Sequence, residues 1–306
     1  MATIAVGDAV GEGFNLIRHR FGAVLVWGAI RIAYAVGAFA LMAPLYLSQF
    51  GAILARAKGS VPTPPDVQSM MAMRSANLLQ GLIGGVMLVV LYCAVFRSVL
   101  KPDEGRFAYL RVGMSEVFMF LLAFGAVVTL VIAAAVLIVP VAVLIGILAA
   151  VHAGAAATLV AILGGLAIIV LFVWVFLRFS LVGPMTVDDG KFHLADAWSL
   201  SRGRALDLFV IGLVLFVILL LIELVVGAFF IAIGFAFLSQ AAGGLNGIQG
   251  FFTRPPAEIF STLSPALIVF AVVGIPLTGC LMAIVAAPWA RAYRNLVGPE
   301  PVASVF

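Results

Sequence analysis

Leu208 to Leu238 is a run of 31 residues holding one charged side chain, Glu223. A helix needs about 20 apolar residues to cross a bilayer, so a run of this kind reads as a membrane span before anything else is known. Five more stretches are long enough: Phe21 to Leu47, Ala76 to Phe96, Val117 to about Ala150, Ala155 to Leu177, and Pro265 to Ala287. The chain is 65% hydrophobic and 10% charged, with a mean hydropathy of +1.26. A soluble domain is nearer half apolar and a quarter charged. These values exclude a water-soluble globular protein, and six spans leave little chain for a soluble catalytic domain. The expected fold is an all-α polytopic membrane bundle of about six transmembrane helices, forming one integral membrane domain over 1–306.

The third stretch is too long for a straight span. Val117 to Ala150 would run about 50 Å at 1.5 Å per residue, against a hydrocarbon core of about 30 Å. Pro140 is the expected kink or break, with Val141 to Ala150 tilting, lying in the interface or turning back. The N-terminus reaches its first long apolar run only after Arg18, His19 and Arg20, so it does not read as a cleaved signal peptide.

The charges set the orientation. With six spans, the N-terminus, Arg97 to Glu116, Arg178 to Asp207 and the C-terminal tail share one side and carry 2, 4, 4 and 2 Lys or Arg, 12 in all. The other side carries only 4: Arg56, Lys58, Arg74 and Arg254. The positive-inside rule then places both termini in the cytoplasm. The net charge of +4 is explained by this orientation, with no nucleic-acid partner needed.

The loops contain two internal matches. Ser48-Gln49 is followed 16 residues later by Pro64-Pro65, and Ser239-Gln240 is followed 16 later by Pro255-Pro256. Inside, Asp103-Glu104-Gly105-Arg106-Phe107 follows span two and Asp188-Asp189-Gly190-Lys191-Phe192 follows span four. Arg97, Arg178 and Arg291 mark the ends of spans two, four and six. The pattern predicts three repeat units, about 1–100, 101–185 and 186–306, each an interfacial amphipathic helix, a span, an outer loop and a return span. In the first amphipathic segment Val6, Val10, Phe14 and Ile17 share one helical face; in the second Phe107, Leu110, Met114 and Val117 do so.

Few residues are candidates for function. Arg31 and Glu223 are the only ionisable groups well inside spans, where an unpaired charge costs several kcal/mol. Arg31 lies 17 residues before Ser48 and Glu223 lies 16 before Ser239, so the two are expected to meet as a salt bridge, either a structural pin or part of a polar path. Asp103-Glu104 and Asp188-Asp189 could face a lipid phosphate through a divalent cation, but a turn starting the next helix is the commoner use of such acids. Trp198 with Arg202 and Arg204 has the composition of a headgroup-docking segment, and ordinary positive-inside anchoring explains the same residues nearly as well. Gly81, Gly84, Gly85, Gly164 and Gly165 suit close helix packing. Cys93 and Cys280, both in apolar runs, read as small buried hydrophobes. His19, His152 and His193 are scattered without metal-ligand spacing, and no nucleophile motif or phosphate-binding loop occurs, so no catalytic, metal or cofactor site is expected.

The segment Leu194-Ala195-Asp196-Ala197-Trp198-Ser199-Leu200-Ser201-Arg202-Gly203-Arg204, running into Ala205-Leu206-Asp207-Leu208-Phe209, resembles a pattern in a broad group of bacterial integral membrane proteins. In that group an Ala-Trp or Ser-Trp pair, a Leu and a Lys- or Arg-Gly step precede a span. It includes the membrane domain attached to some glycerophosphoryl diester phosphodiesterases and the YciC-like inner-membrane proteins of unknown function. The resemblance implies an all-helical bacterial inner-membrane protein without established activity. The phosphodiesterase chemistry of fused relatives belongs to a separate soluble barrel that this chain lacks. The expected function is a non-enzymatic protein that organises, binds or moves lipids or other membrane components, with membrane lipids, other membrane proteins or further copies of itself as partners. The alternatives are a small-solute transporter or channel using Arg31 and Glu223, and a lipid-acting membrane enzyme.

Overall fold

A computed structural model describes residues 5–57, 67–241, 243, 244, 251 and 254–298, with the side chains of 43–57, 67–69, 256, 257 and 260 undescribed. The described residues are 89% helical. Among the described residues the α-helices are α1 (Val6–His19), α2 (Phe21–Ala57), α3 (Val67–Leu100), α4 (Met114–Ala150), α5 (Gly154–Phe179), α6 (Val182–Asp189), α7 (Leu194–Leu200), α8 (Ala205–Ala241) and α9 (Pro256–Val297). Six of them, α2, α3, α4, α5, α8 and α9, are long and apolar enough to cross a membrane. The chain is therefore an all-α, multi-pass membrane protein.

The spanning helices outrun the apolar stretches that locate them. α2 continues past Leu47 to Ala57, and α3 begins at Val67 rather than Ala76. Helix hydrogen bonds are local, so a helix extends through polar residues until a breaker stops it. Pro140 does not break α4, which runs unbroken through all 37 residues. Its distal part, where the sequence suggests an interfacial or re-entrant path, instead packs along α5: a Cβ at Gly164 would lie 2.9 Å from Val141 Cγ1.

The chain forms two compact units, interleaved in sequence. The first comprises Met1–Glu12, Tyr92–Leu213 and Ala286–Phe306. Gly183 brings α6 against Phe96 and Met119, where a Cβ would come within 3.0 and 2.9 Å of their side chains. Trp289 meets Phe176 edge to face at 5.7 Å. Leu181, Val182, Val187, Ala197, Leu208 and Ile211 fill the interior.

The second unit comprises Gly13–Leu91 and Val214–Val285 and rests on glycine contacts. A Cβ on Gly28 would fall 1.9 Å from the Ile275 carbonyl oxygen, and one on Gly279 would fall 2.1 Å from that of Val24. α2 and α9 thus touch backbone to backbone, the approach that small residues permit in membranes. Of the glycines expected in packing, Gly84 meets Tyr34 and Gly164 meets Val141, whereas Gly81, Gly85 and Gly165 face open space. The Tyr34 hydroxyl donates to the Gln80 carbonyl, joining α2 to α3. Phe230 and Phe270 join α8 to α9 at 4.9 Å.

α1 is the amphipathic helix expected, but rotated. Ala9, Val10, Gly13 and Leu16 are buried while Phe14 is exposed, because Gly13 takes the closest approach to α9, 2.8 Å from its notional Cβ to Ile284 Cα. The second expected amphipathic helix does not form. Phe107, Ala108 and Tyr109 adopt left-handed angles, φ 50°, 55° and 64°, and Leu110 is extended. The outer segment containing Pro64-Pro65 lies outside the described residues.

Candidate functional site

The three arginines that close spans two, four and six all belong to the first unit, and each ties its helix end to a segment leading into another span. Each tie is made differently. Arg97, in the last turn of α3, donates from Nη1 to the Tyr109 carbonyl at 2.8 Å and from Nη2 to Glu116 Oε1. Both side chains of this pair are almost wholly buried, 6% and 5% exposed. The other Glu116 oxygen accepts the Gly113 N–H at 2.9 Å, so one carboxylate caps α4 and neutralises Arg97 together. The Tyr109 hydroxyl donates to the Pro102 carbonyl at 3.1 Å, which pins the left-handed turn from its far side.

Arg291, near the end of α9, donates from Nε to Asp8 Oδ2 at 2.8 Å, with Glu12 Oε2 at 4.0 Å. The pair is partly exposed, 30% and 44%. The guanidinium hydrogen bond holds the Asp8 carboxyl below its ordinary value.

Arg178, in the last turn of α5, has no carboxylate partner among the described residues. Its guanidinium carbon lies 5.4 Å from the Trp174 ring and 5.3 Å from that of Trp198. The two indoles stand nearly perpendicular, 86° apart with centroids 5.3 Å apart. Phe179 backs Trp198 at 5.5 Å. Arg178 Nε and Nη1 are buried with no hydrogen-bond acceptor. The buried Ser201 hydroxyl has two carbonyl acceptors to share its one proton, that of Trp198 at 3.0 Å and that of Arg178 at 3.3 Å, which places the end of α7 beside α5.

The remaining predicted positions are spread around this framework. Asp188 and Asp189 end α6, with Gly190 at φ 72° as its left-handed cap, so this acidic turn stops a helix where the sequence suggested a start. Lys101 Nζ donates to the Asp188 carbonyl at 2.5 Å, and the Tyr293 hydroxyl donates to Asp188 Oδ2 at 3.0 Å. Asp189 and Asp196 flank His193 at 2.5 and 2.6 Å, and these acids raise the imidazole pKa. Glu104 pairs with the exposed Arg111 at 2.6 Å, and Asp103 is exposed. Trp198 stacks on Arg178, while Arg202 is exposed and Arg204 half-buried, neither in an ion pair among the described residues. No group of three His, Cys, Asp or Glu among the described residues is arranged to hold a metal.

The expected Arg31–Glu223 salt bridge is absent among the described residues. Glu223 is exposed and Arg31 half-buried. The residues flanking Arg31 commit α2 to α9, since Gly28 touches Ile275 and Ile32 meets Gly274. α8 likewise meets α9 through Phe230 and Phe270. Matching depth in the sequence does not specify which neighbour a helix face meets. The Arg178 pocket, by contrast, escaped sequence reasoning. Its only signal is the spacing of Trp174 and Arg178, which puts both on one helix face.

The chain matches no known protein-family model, no curated protein and no solved structure.

Proposed function

We propose that this chain is a non-enzymatic multi-pass membrane protein that binds or organises lipids at one face of a bacterial inner membrane. The carrying observation is the left-handed turn at 107–109, which holds Phe107 85% exposed between Arg106 and Arg111. Left-handed angles at residues other than glycine cost about 1–2 kcal/mol each. Hydrogen bonds from Arg97 to the Tyr109 carbonyl and from the Tyr109 hydroxyl to the Pro102 carbonyl hold this turn. What this strain achieves is an apolar side chain held out next to cations. Val112, Met114 and Leu206 are also strongly exposed near Arg111 and Arg204 in sequence. Apolar groups flanked by Lys or Arg suit the headgroup boundary, where the ring enters the acyl layer and the cations meet phosphates.

In this reading the charged loops and both termini are cytoplasmic, as the 12-to-4 distribution of Lys and Arg supports. The three arginine ties support a chain built from three related hairpins. Arg97 reaches the lead-in to α4, Arg178 the lead-in to α8, and Arg291 the lead-in to α2. The resemblance of Leu194 to Phe209 to the membrane domain of glycerophosphoryl diester phosphodiesterases and to YciC-like proteins is in keeping with work near the same headgroup layer. The transport alternative lacks the Arg31–Glu223 pair it was built on.

The test is native mass spectrometry of the full chain gently extracted from bacterial membranes. The reading expects retained phospholipid, with anionic species above their share of the bulk membrane. A chain that leaves the membrane free of lipid defeats it.

A further inference from the structure

Three arginines close three return spans, and among the described residues one of them lacks an anion. Arg97 has Glu116 and Arg291 has Asp8. Arg178 has two indole rings beside its guanidinium and two buried nitrogens, Nε and Nη1, without an acceptor. Indoles attract a cation but accept no strong hydrogen bond, so stacking leaves the donor capacity of the guanidinium unused. A buried N–H normally finds an acceptor. The fork geometry of an arginine is matched by oxygens of a carboxylate or a phosphate. No carboxylate of the described chain supplies them. The surroundings favour phosphate on a lipid: Trp174 and Trp198 are partly exposed and adjoin the exposed Phe176, Phe179 and Phe192 in sequence. Tryptophan is the side chain suited to headgroup depth, with one apolar face and one polar edge. Arg202 and Arg204 follow Trp198 closely and are in no ion pair among the described residues.

We propose that Arg178, Trp174 and Trp198 form a binding site for the phosphate of an anionic phospholipid headgroup, with the guanidinium taking the phosphate oxygens and the indoles packing on the lipid's glycerol and upper acyl carbons. This rests on the lipid-facing reading above and adds a site and a ligand class to it. The lipid phosphate plays the part at Arg178 that Glu116 plays at Arg97.

The experiment uses the full chain in detergent with added phosphatidylglycerol, phosphatidylcholine or inorganic phosphate, read by native mass spectrometry and by thermal unfolding. Wild type is expected to retain phosphatidylglycerol over phosphatidylcholine. Arg178→Gln is expected to lower that retention about tenfold, the effect of losing one charge-assisted contact. Arg178→Lys keeps the charge but not the fork, and retention about two- to fivefold below wild type is expected. That variant also carries the test if Arg178→Gln fails to fold. Arg254→Gln, at the opposite end of the topology, removes the same charge and should retain lipid as wild type does. Equal retention by wild type, Arg178→Gln and Arg178→Lys overturns the site and leaves the lipid-binding reading standing. Equal losses in Arg178→Gln and Arg254→Gln also overturn it, by showing a general effect of charge. If wild type retains no lipid but inorganic phosphate stabilises it through Arg178, the lipid source is wrong and the lipid-binding reading falls too. No lipid retention and no phosphate effect defeats both.

Discussion

Arg97 and Arg178 stand in the last turns of two successive return helices, yet one is sealed among its own chain's acceptors and the other is stacked between rings. The Arg97 end is closed: a buried carboxylate, a carbonyl and a capped helix account for its charge. The Arg178 end has aromatic walls and unused donors. The difference shows that a bundle can treat the same residue as a rivet or as a receptor, depending on whether the following segment supplies an acid. Glu116 stands two residues into α4, where it can both cap and pair, whereas α7 presents Trp198.

Removing one partner of the sealed end should have the largest consequence. Glu116→Ala leaves a buried guanidinium without its counter-charge, a change that costs about 3–5 kcal/mol. Thermal unfolding in detergent should fall sharply, and the double variant Arg97→Leu with Glu116→Leu should recover most of the loss. A single substitution costing less than about 1 kcal/mol would show that the pair does not hold this end together.

At the open end Trp198→Leu keeps apolar bulk and removes the ring. The expected loss is about 1 kcal/mol, the worth of a partly desolvated cation–π contact. If instead the variant unfolds as readily as Glu116→Ala, the pocket is a structural keystone and the contrast between the two ends disappears.

Arg291 is the intermediate case, with a carboxylate partner but in water. Asp8→Asn should cost no more than about 1 kcal/mol, as exposed pairs do. Arg291 depresses the Asp8 carboxyl, so the stability it contributes is present above the ordinary value of about 3.9 and is lost as pH falls through the lowered one. Unfolding of wild type and Asp8→Asn compared at neutral and acid pH should therefore converge under acid. Divergence under acid would refute the ion pair.

The smallest effect belongs to His193. Hydrogen bonds that the ring donates to Asp196 and to Asp189 raise its pKa. Its contribution is complete below about 6.5 and is lost as pH rises through the raised value. An NMR titration should find the imidazole protonating above 6.5, with the value falling back in Asp196→Asn. A midpoint at or below 6.5 in wild type would exclude the Asp-His-Asp cluster.

Much of the fold is legible because the relevant physics is local. Six apolar stretches predict six long helices, and they form, since each backbone is satisfied within its own helix. The boundaries slip where polar residues such as Gln49 and Ser75 are still compatible with helix. Pro140 misleads because a long helix can carry one proline when a neighbour such as α5 packs beside it. The face of α1 misleads because Gly13, which a hydrophobicity pattern ignores, makes the closest contact.

The site is less legible for the same reason inverted. Trp198 stands out by type, but its role depends on Arg178, 20 positions away and in another helix. Arg31 and Glu223 stand out as charges in lipid, yet the glycines and aromatics around them decide their neighbours. By itself the sequence determined the six long apolar stretches and their helical form, because hydrogen bonds within a helix and the cost of charge in hydrocarbon depend on nearby residues alone. Only the tertiary structure decided which arginine is paired, which is stacked and which helices touch at glycine. Partners such as Asp8 and Arg291, separated by 283 residues, are chosen by packing that no local pattern encodes.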